Sequence, residues 1–292
     1  MLPLLVLVLG AATIGFAGIL ARLTETGPAA GALWRLLFAL PALLAIHLMI
    51  RRNNADIAGR GMKLGLLAGL LFAGDLACWH YGLAMTSVAN ATVLANLSPI
   101  VVALMAWWLL AERPRPVFAL GVLVGVAGAC GMALFADHAE RPGSLMGDAL
   151  SAATAFWYGL YMLAVNAARR FVTAATVMFW STLSGIPVML AAAFAMGEAV
   201  MPASASGWLA CIGLGFVHVI GQGAIAWALG RLRATLASVV ILVQPVVAAI
   251  AGAWLFDESL AALQIASGAL ALTGVVIARS AANPRAPVPG SA

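Results

Sequence analysis

The sequence predicts an all-α integral membrane protein of ten transmembrane helices, arranged as two five-helix repeats of inverted topology. Three observations carry this. Of the 292 residues, 64% are hydrophobic and 9% charged, with a mean hydropathy of +1.06, whereas soluble domains carry roughly a quarter charged residues. Apolar runs of about 20 residues, the length that crosses a hydrocarbon core, recur along the whole chain. The second half also repeats the first at an offset of half the 292 residues: Trp34 aligns with Trp180, Pro41 with Pro187, Gly69 with Gly215, Pro99 with Pro245, Trp108 with Trp254, Glu112 with Glu258 and Gly128 with Gly274. Self-similarity at a fixed period is a fold-level signal.

Breaking the apolar runs at charges, prolines and glycines yields the spans in order. The first repeat, residues 1–146, holds Leu4–Arg22, Ala30–Ile50, Met62–Met85, Asn90–Leu110 and Val117–Phe135. The second, residues 147–280, holds Gly147–Ala168, Ala174–Met196, Ser206–Leu229, Thr235–Leu255 and Ala261–Arg279. Residues 281–292 are expected to be a disordered cytoplasmic tail. Connections this short leave no extramembrane domain. Met1-Leu-Pro-Leu-Leu lacks a basic n-region, so it reads as the start of the first span and not as a signal peptide.

Charge sets the expected orientation. With the N-terminus inside, the cytoplasmic segments carry Arg51, Arg52, Arg60, Lys63, Arg113, Arg115, Arg169, Arg170, Arg231, Arg233, Arg279 and Arg285, twelve of the 15 basic residues. The outer connections hold Glu25, Asp137, Glu140, Glu198, Asp257 and Glu258. This is the positive-inside bias. It predicts a multi-pass protein of the inner (plasma) membrane with both termini cytoplasmic. An odd number of spans per repeat inverts the second half relative to the first, a symmetry that lets one fold open to either side.

Composition also excludes. The pI of 9.7 does not point to nucleic acid, because the basic residues sit in pairs between apolar runs and not along one face. Cys78, Cys130 and Cys211 are odd in number, lie inside apolar segments and lack metal-ligand spacing. No phosphate loop, nucleophile elbow, metalloprotease helix or dinucleotide-binding glycine pattern occurs. The chain is therefore expected to have no ATP site, no cofactor, no metal and no enzymatic activity. Its expected partners are the bilayer and a small molecule, with any driving force supplied by a gradient.

The residues that can carry chemistry are the polar groups inside the spans. Asp75 is the only carboxylate deep in an apolar segment and shares a helical face with Cys78, Trp79 and Gly82. An intramembrane acid is costly unless it faces a cavity or a partner. Asp75 is thus a proton carrier, a contact for a substrate ammonium, half of a structural pair with Arg35 of the second span, or a buried protonated acid. His218 and Gln222 lie one turn apart near the middle of the eighth span, and either line a cavity or bond to neighbouring helices. His80 and His47 fall nearer the outer and inner interfaces, where a hydrated histidine needs no special role.

Pro99 and Pro245 interrupt spans four and nine, preceded by Ser98 and Gln244. Each removes a helical hydrogen bond and frees the carbonyl four residues earlier, so hinge or cavity shaping is expected, with Asn96 nearby; simple bending is the alternative. Trp157, Tyr158 and Tyr161 lie mid-span, away from the interfacial belt. With Trp79 and Tyr81 they either line an aromatic cavity or pack as core. Trp107, Trp108 and Trp254, near helix ends, read as interface anchors. The faces of Gly61, Gly65 and Gly69, and of Gly121 and Gly125, allow close helix approach. Internal packing is the expected use, and the chain is expected to be a monomer or weak homodimer.

The carriers of a family likeness are Pro99…Trp108-Leu-Leu-Ala-Glu112-Arg113 and Pro245…Trp254-Leu-Phe-Asp-Glu258. Each repeat has a proline-kinked fourth helix with an acidic residue at its end, followed by a glycine-rich fifth helix. Over nearly the whole chain this resembles the drug/metabolite transporter (DMT) superfamily, with EamA-type repeats. The aromatic centre and third span are similar to YddG-type exporters. The resemblance implies a secondary transporter that exports aromatic and other neutral amino acids, or similar small metabolites, by alternating access. The expected binding residues are Asp75, Trp79, Tyr81, Asn96, Trp157, Tyr158, Tyr161, His218, Gln222 and Gln244, with Pro99 and Pro245 as hinges. Efflux of cationic drugs, with Asp75 as counter-charge, and a non-transporting membrane scaffold are the alternatives.

Overall fold

A computed structural model describes residues 1–51, 58–86, 88–110, 115–135, 144–256 and 260–281. Among these the regular structure is entirely helical: α1 (Leu2–Gly15), α2 (Ala17–Arg22), α3 (Pro28–Arg51), α4 (Ala58–Met85), α5 (Val88–Ala95), α6 (Ser98–Leu110), α7 (Pro116–Leu134), α8 (Leu145–Ala168), α9 (Ala174–Ala195), α10 (Ala205–Val217), a π-helical turn (His218–Gln222), α11 (Gly223–Leu229), α12 (Ala234–Val240), α13 (Val243–Phe256) and α14 (Ala262–Ala281). Eight helical stretches are long and apolar enough to cross a membrane, and Ser98–Trp108 is a shorter apolar helix. Glu112, Arg113, Asp137, Glu140, Arg141, Asp257, Glu258, Arg52, Arg285 and the tail from Asn283 lie outside the described residues.

The helix starts follow from local chemistry. Ser144, Thr173 and Ser204 turn their hydroxyls onto the amides of Gly147 (3.1 Å), Thr176 (3.3 Å) and Gly207 (3.2 Å), satisfying first-turn donors of α8, α9 and α10. The cap of α3 comes from far away in sequence. Glu198, beyond the end of α9, accepts from the amides of Ala29 (3.2 Å) and Ala30 (2.8 Å), placing a carboxylate where a helix N-terminus favours negative charge.

Four of the expected spans are divided. The breaks at Pro99 and Pro245 stand where the missing amides place them. α5 ends at Ala95, and α12 ends at Val240, just before Ile241. The Ile241 carbonyl is taken up by the amide of Gln244 at 2.8 Å, an i+3 contact that tightens the turn. The first span divides at Phe16 and the eighth at the π turn; neither contains a proline.

Helices pack through small residues, as expected where lipid removes the hydrophobic drive between them. α7 and α14 meet along glycine: a side chain on Gly125 would touch Gly274, and one on Gly121 or Gly128 would strike the α14 backbone at Ala278 or Ala271. In α4, Gly69 lies against Ser181 and Ser184 of α9, and in α10, Gly215 lies against Phe38 and Ala39 of α3. These contacts correspond under the half-length offset, which carries Gly69 to Gly215 and Phe38 to Ser184. The main core gathers Leu7, Leu36, Phe72, Leu76, Tyr161, Met178 and Leu229 from both halves. The outer surface stays apolar, with Trp108 78% and Trp254 80% exposed.

Candidate functional site

The centre of the molecule is polar. Arg35 of α3 is 3% exposed and Asp75 of α4 7%, while His218 and Gln222 of the π turn are buried. Phe72, one helical turn before Asp75 on α4, joins these groups: its ring centroid lies 5.5 Å from the Arg35 guanidinium carbon, 4.7 Å from the Tyr161 ring and 5.4 Å from the His218 ring. Tyr158 follows at 5.8 Å from Tyr161. Its hydroxyl faces the amides of Gln222 and Gln244, without closing a hydrogen bond to either.

Each group is positioned by a local feature. The π turn widens the helix at His218, and such turns recur at functional sites. The Nε2 atom of His218 is fixed by the Thr182 hydroxyl of α9 at 2.9 Å, while its Nδ1 has no partner. Gln244 lies in the first turn of α13, just after the α12–α13 break and one residue before Pro245. Tyr161 directs its hydroxyl to the Met178 sulfur at 3.8 Å. Five buried polar atoms here make no hydrogen bond: Arg35 Nε, Tyr158 Oη, His218 Nδ1, Gln222 Oε1 and Gln244 Nε2. Buried polar groups are nearly always satisfied, so such a concentration in one place needs an explanation.

Arg35 and Asp75 interact electrostatically, yet no direct ion pair joins them. The guanidinium is also within electrostatic reach of Tyr158, Tyr161, His80 and His218. It is the common charged neighbour of the titratable groups in the cluster.

Of the expected residues, Asp75, Tyr158, Tyr161, His218, Gln222 and Gln244 come together. Trp157 borders them, lying across α4 at Gly74, where a side chain would meet its ring at 2.8 Å. Trp79 packs edge-on to His80 (4.9 Å) and faces Gly18 of α2. Asn96 sits in the α5–α6 break with a buried, unpartnered Nδ2; no described contact joins it to the cluster. Tyr81 stands apart, its hydroxyl donating to Glu198 at 2.5 Å.

Two histidines differ from expectation. His47 is not hydrated but buried, stacked on Phe179 at 5.0 Å with Nδ1 3.0 Å from the Thr176 hydroxyl. His80 is likewise buried, against Trp79. His47 faces α9, and burial of either ring depends on helix face, which depth along a span does not reveal. Phe72 and Thr182 carry no sequence signal, being ordinary residues until the facing helices are known. Arg35 does carry one, as a lone cation in an apolar run. Among the described residues no three His, Cys, Asp or Glu side chains converge as metal ligands.

Comparison with known proteins gives a consistent picture. The profile of the EamA-like transporter family matches residues 1–134 and 145–280. The pseudopaline exporter CntI of two Pseudomonas aeruginosa strains is 28% identical over 243 residues, covering 80% of this chain and 80% of the exporter. A solved protein crystal structure superposes with a TM-score of 0.77 at 20% identity, over 96% of both chains; it bears on the fold alone.

Proposed function

This chain belongs to the EamA-like transporter family, and from that premise we propose that it exports small amino-acid-like metabolites, aromatic and other neutral ones, across the plasma membrane by alternating access. The carrying observation is the cluster of unsatisfied buried polar atoms where α3, α4, α8, the π turn and the α12–α13 break meet. A bundle that needed only to fold would close those bonds or replace the groups with apolar ones. A transporter keeps them for its substrate, and the CntI relatives, as exporters of a small molecule, support that direction. Tyr158, Tyr161 and Trp157 supply stacking surface; Asp75, His218, Gln222 and Gln244 supply polar selectivity. Tyr81 belongs to the strut at Glu198 on this reading, and Trp79 and Asn96 to the walls.

In the proposed topology, two inverted five-span repeats, residues 1–146 and 147–280, place both termini in the cytoplasm and require neither nucleic acid nor a stable oligomer. The paired contacts Gly69–Ser184 and Gly215–Phe38 support a pseudo-two-fold relation. Pro99 and Pro245, at matched breaks, are the natural hinges of the exchange between outward and inward openings.

The test is transport by the purified protein in liposomes, measured with radiolabelled phenylalanine with and without a proton gradient. Saturable uptake supports the reading, and dependence on the gradient would make Asp75 or His218 the leading proton site. Absence of uptake for every amino acid tried overturns it. Cationic-drug efflux is the second reading, favoured by the buried carboxylate of Asp75. Arg35 within electrostatic reach of that carboxylate opposes a lone cation, and competition between phenylalanine and a lipophilic cation decides between the two.

A further inference from the structure

We infer that Arg35 is the anion anchor of the central site, so that the transported molecule is a carboxylate-bearing zwitterion whose carboxylate lies on the Arg35 guanidinium and whose ammonium lies on Asp75. The inference rests on the transport reading above and specifies its substrate class. Arg35 sits at the centre of the cluster, 3% exposed. Its Nε has no hydrogen-bond partner, and the guanidinium makes no direct ion pair with Asp75 or any other described residue. A buried charge held without a direct partner is costly to keep. If Arg35 served only to neutralise Asp75, the two side chains would be joined directly, as buried ion pairs are.

Guanidinium chemistry names the missing partner. Its planar fork of donors matches a carboxylate with two parallel bonds, a geometry no ammonium or amide reproduces. Phe72 lies beside the guanidinium at 5.5 Å, an aromatic contact that helps fix its placement. Around it stand the unpartnered Tyr158 hydroxyl, His218 Nδ1, Gln222 Oε1 and Gln244 Nε2, a mixed set of donors and acceptors suited to a polar headgroup. Tyr158 and Tyr161 offer ring surface for an apolar side chain. A carboxyl group and a guanidinium lying near one another but unjoined are the arrangement that a zwitterion completes. A simple cation would meet Arg35, and a simple anion would meet Asp75.

The experiment uses the full chain, reconstituted, with four probes: phenylalanine, its amide, phenethylamine and 3-phenylpropionate. Uptake and binding are measured for wild type, Arg35→Gln, Arg35→Lys and Asp75→Asn. Wild type should prefer phenylalanine over its amide and over phenethylamine by at least about tenfold, as expected of a site built to bond a group the analogue lacks. Arg35→Gln should erase that preference while still binding the amide. Arg35→Lys should restore part of it. Asp75→Asn should keep the preference for a carboxylate but lose the distinction between phenylalanine and 3-phenylpropionate. Should the Arg35 variants fail to fold, the wild-type series decides alone. Equal handling of phenylalanine and its amide by wild type overturns the assignment and leaves transport standing. A folded Arg35→Gln that still prefers the carboxylate also overturns it. Uptake of none of the four overturns the amino-acid reading and this inference with it.

Discussion

The side-chain amide of Asn166, near the end of α8, donates to the carbonyl of Leu229 at 2.6 Å and to that of Leu232 at 3.1 Å, so α8 is tied to the C-terminal end of α11. Arg169, one turn further on, adds bonds to the carbonyls of Ala226 (3.2 Å) and Val172. Under the half-length offset Asn166 corresponds to Leu20 and Leu229 to Leu83, and a leucine cannot make this tie. On the proposed topology the latch is therefore cytoplasmic and one-sided. Asn166→Ala should release it, at a cost of about 1 kcal/mol for interhelical bonds in a membrane protein. With Cys78, Cys130 and Cys211 replaced by serine, a reporter at Tyr158→Cys should then label faster from the cytoplasmic side than in the same background with Asn166 intact. An unchanged rate would mean that the tie only braces the fold.

Glu198 joins three elements: it caps α3 at Ala29 and Ala30 and accepts the Tyr81 hydroxyl from α4. Glu198→Gln removes the charge from both roles and should lower stability by about 1 kcal/mol. Tyr81→Phe should cost less, since it loses a single bond, and should leave substrate order unchanged. Thermal unfolding of both single variants and the double variant gives the coupling. Losses that simply add would show that the 2.5 Å contact contributes little.

The glycine contacts give a sharper steric test. Gly69→Ala would press a methyl onto the Ser181 carbonyl, and Gly215→Ala would bring one within 2.6 Å of the Phe38 Cβ. Overpacking of this kind costs about 1–3 kcal/mol. Gly59, with nothing within 4 Å, is the control, and Gly59→Ala should be neutral or stabilising by up to about 1 kcal/mol through helix propensity. Comparable losses at all three positions would show that the close packing is not what the glycines provide.

Much of this architecture was legible in the residues, and what was not has a physical cause. Crossing length and composition are local properties, and among the described residues eight of the ten expected spans carry both. Asn90–Leu110 leaves only a shorter apolar helix at Ser98–Trp108, and Leu145–Ala168, with its polar Asp148 and Asn166, is not among the eight. Pro99 and Pro245 mark their breaks, because a missing amide acts on its own helix. Gly69 and Gly215 were visible as a repeat pair, although their neighbours were not. The division at Phe16 and the π turn at His218 leave no such mark, since packing against other helices fixes them. The central polar cluster follows the same rule. His218 and Gln222 stood out by spacing, and Arg35 by its charge, but Thr182 and Phe72 acquire roles only when α9 and α4 are set beside the π turn. Depth along a span places His47 and His80 near water, whereas helix face, which buries them, is set by packing.

Tyr158 offers the clearest separation of function from stability. Its hydroxyl is buried and bonds to nothing, so Tyr158→Phe removes no hydrogen bond and relieves a desolvated polar group. Stability should stay level or rise by about 1 kcal/mol. On the proposed reading transport should fall, because there the hydroxyl is one of the groups that meet the substrate, and polar groups kept at such a cost are where stability and activity trade against each other. Unfolding temperature and initial uptake rate, measured on the same preparation, give the comparison. A variant that is less stable and transports normally would make the Tyr158 hydroxyl part of the packing and remove it from the site.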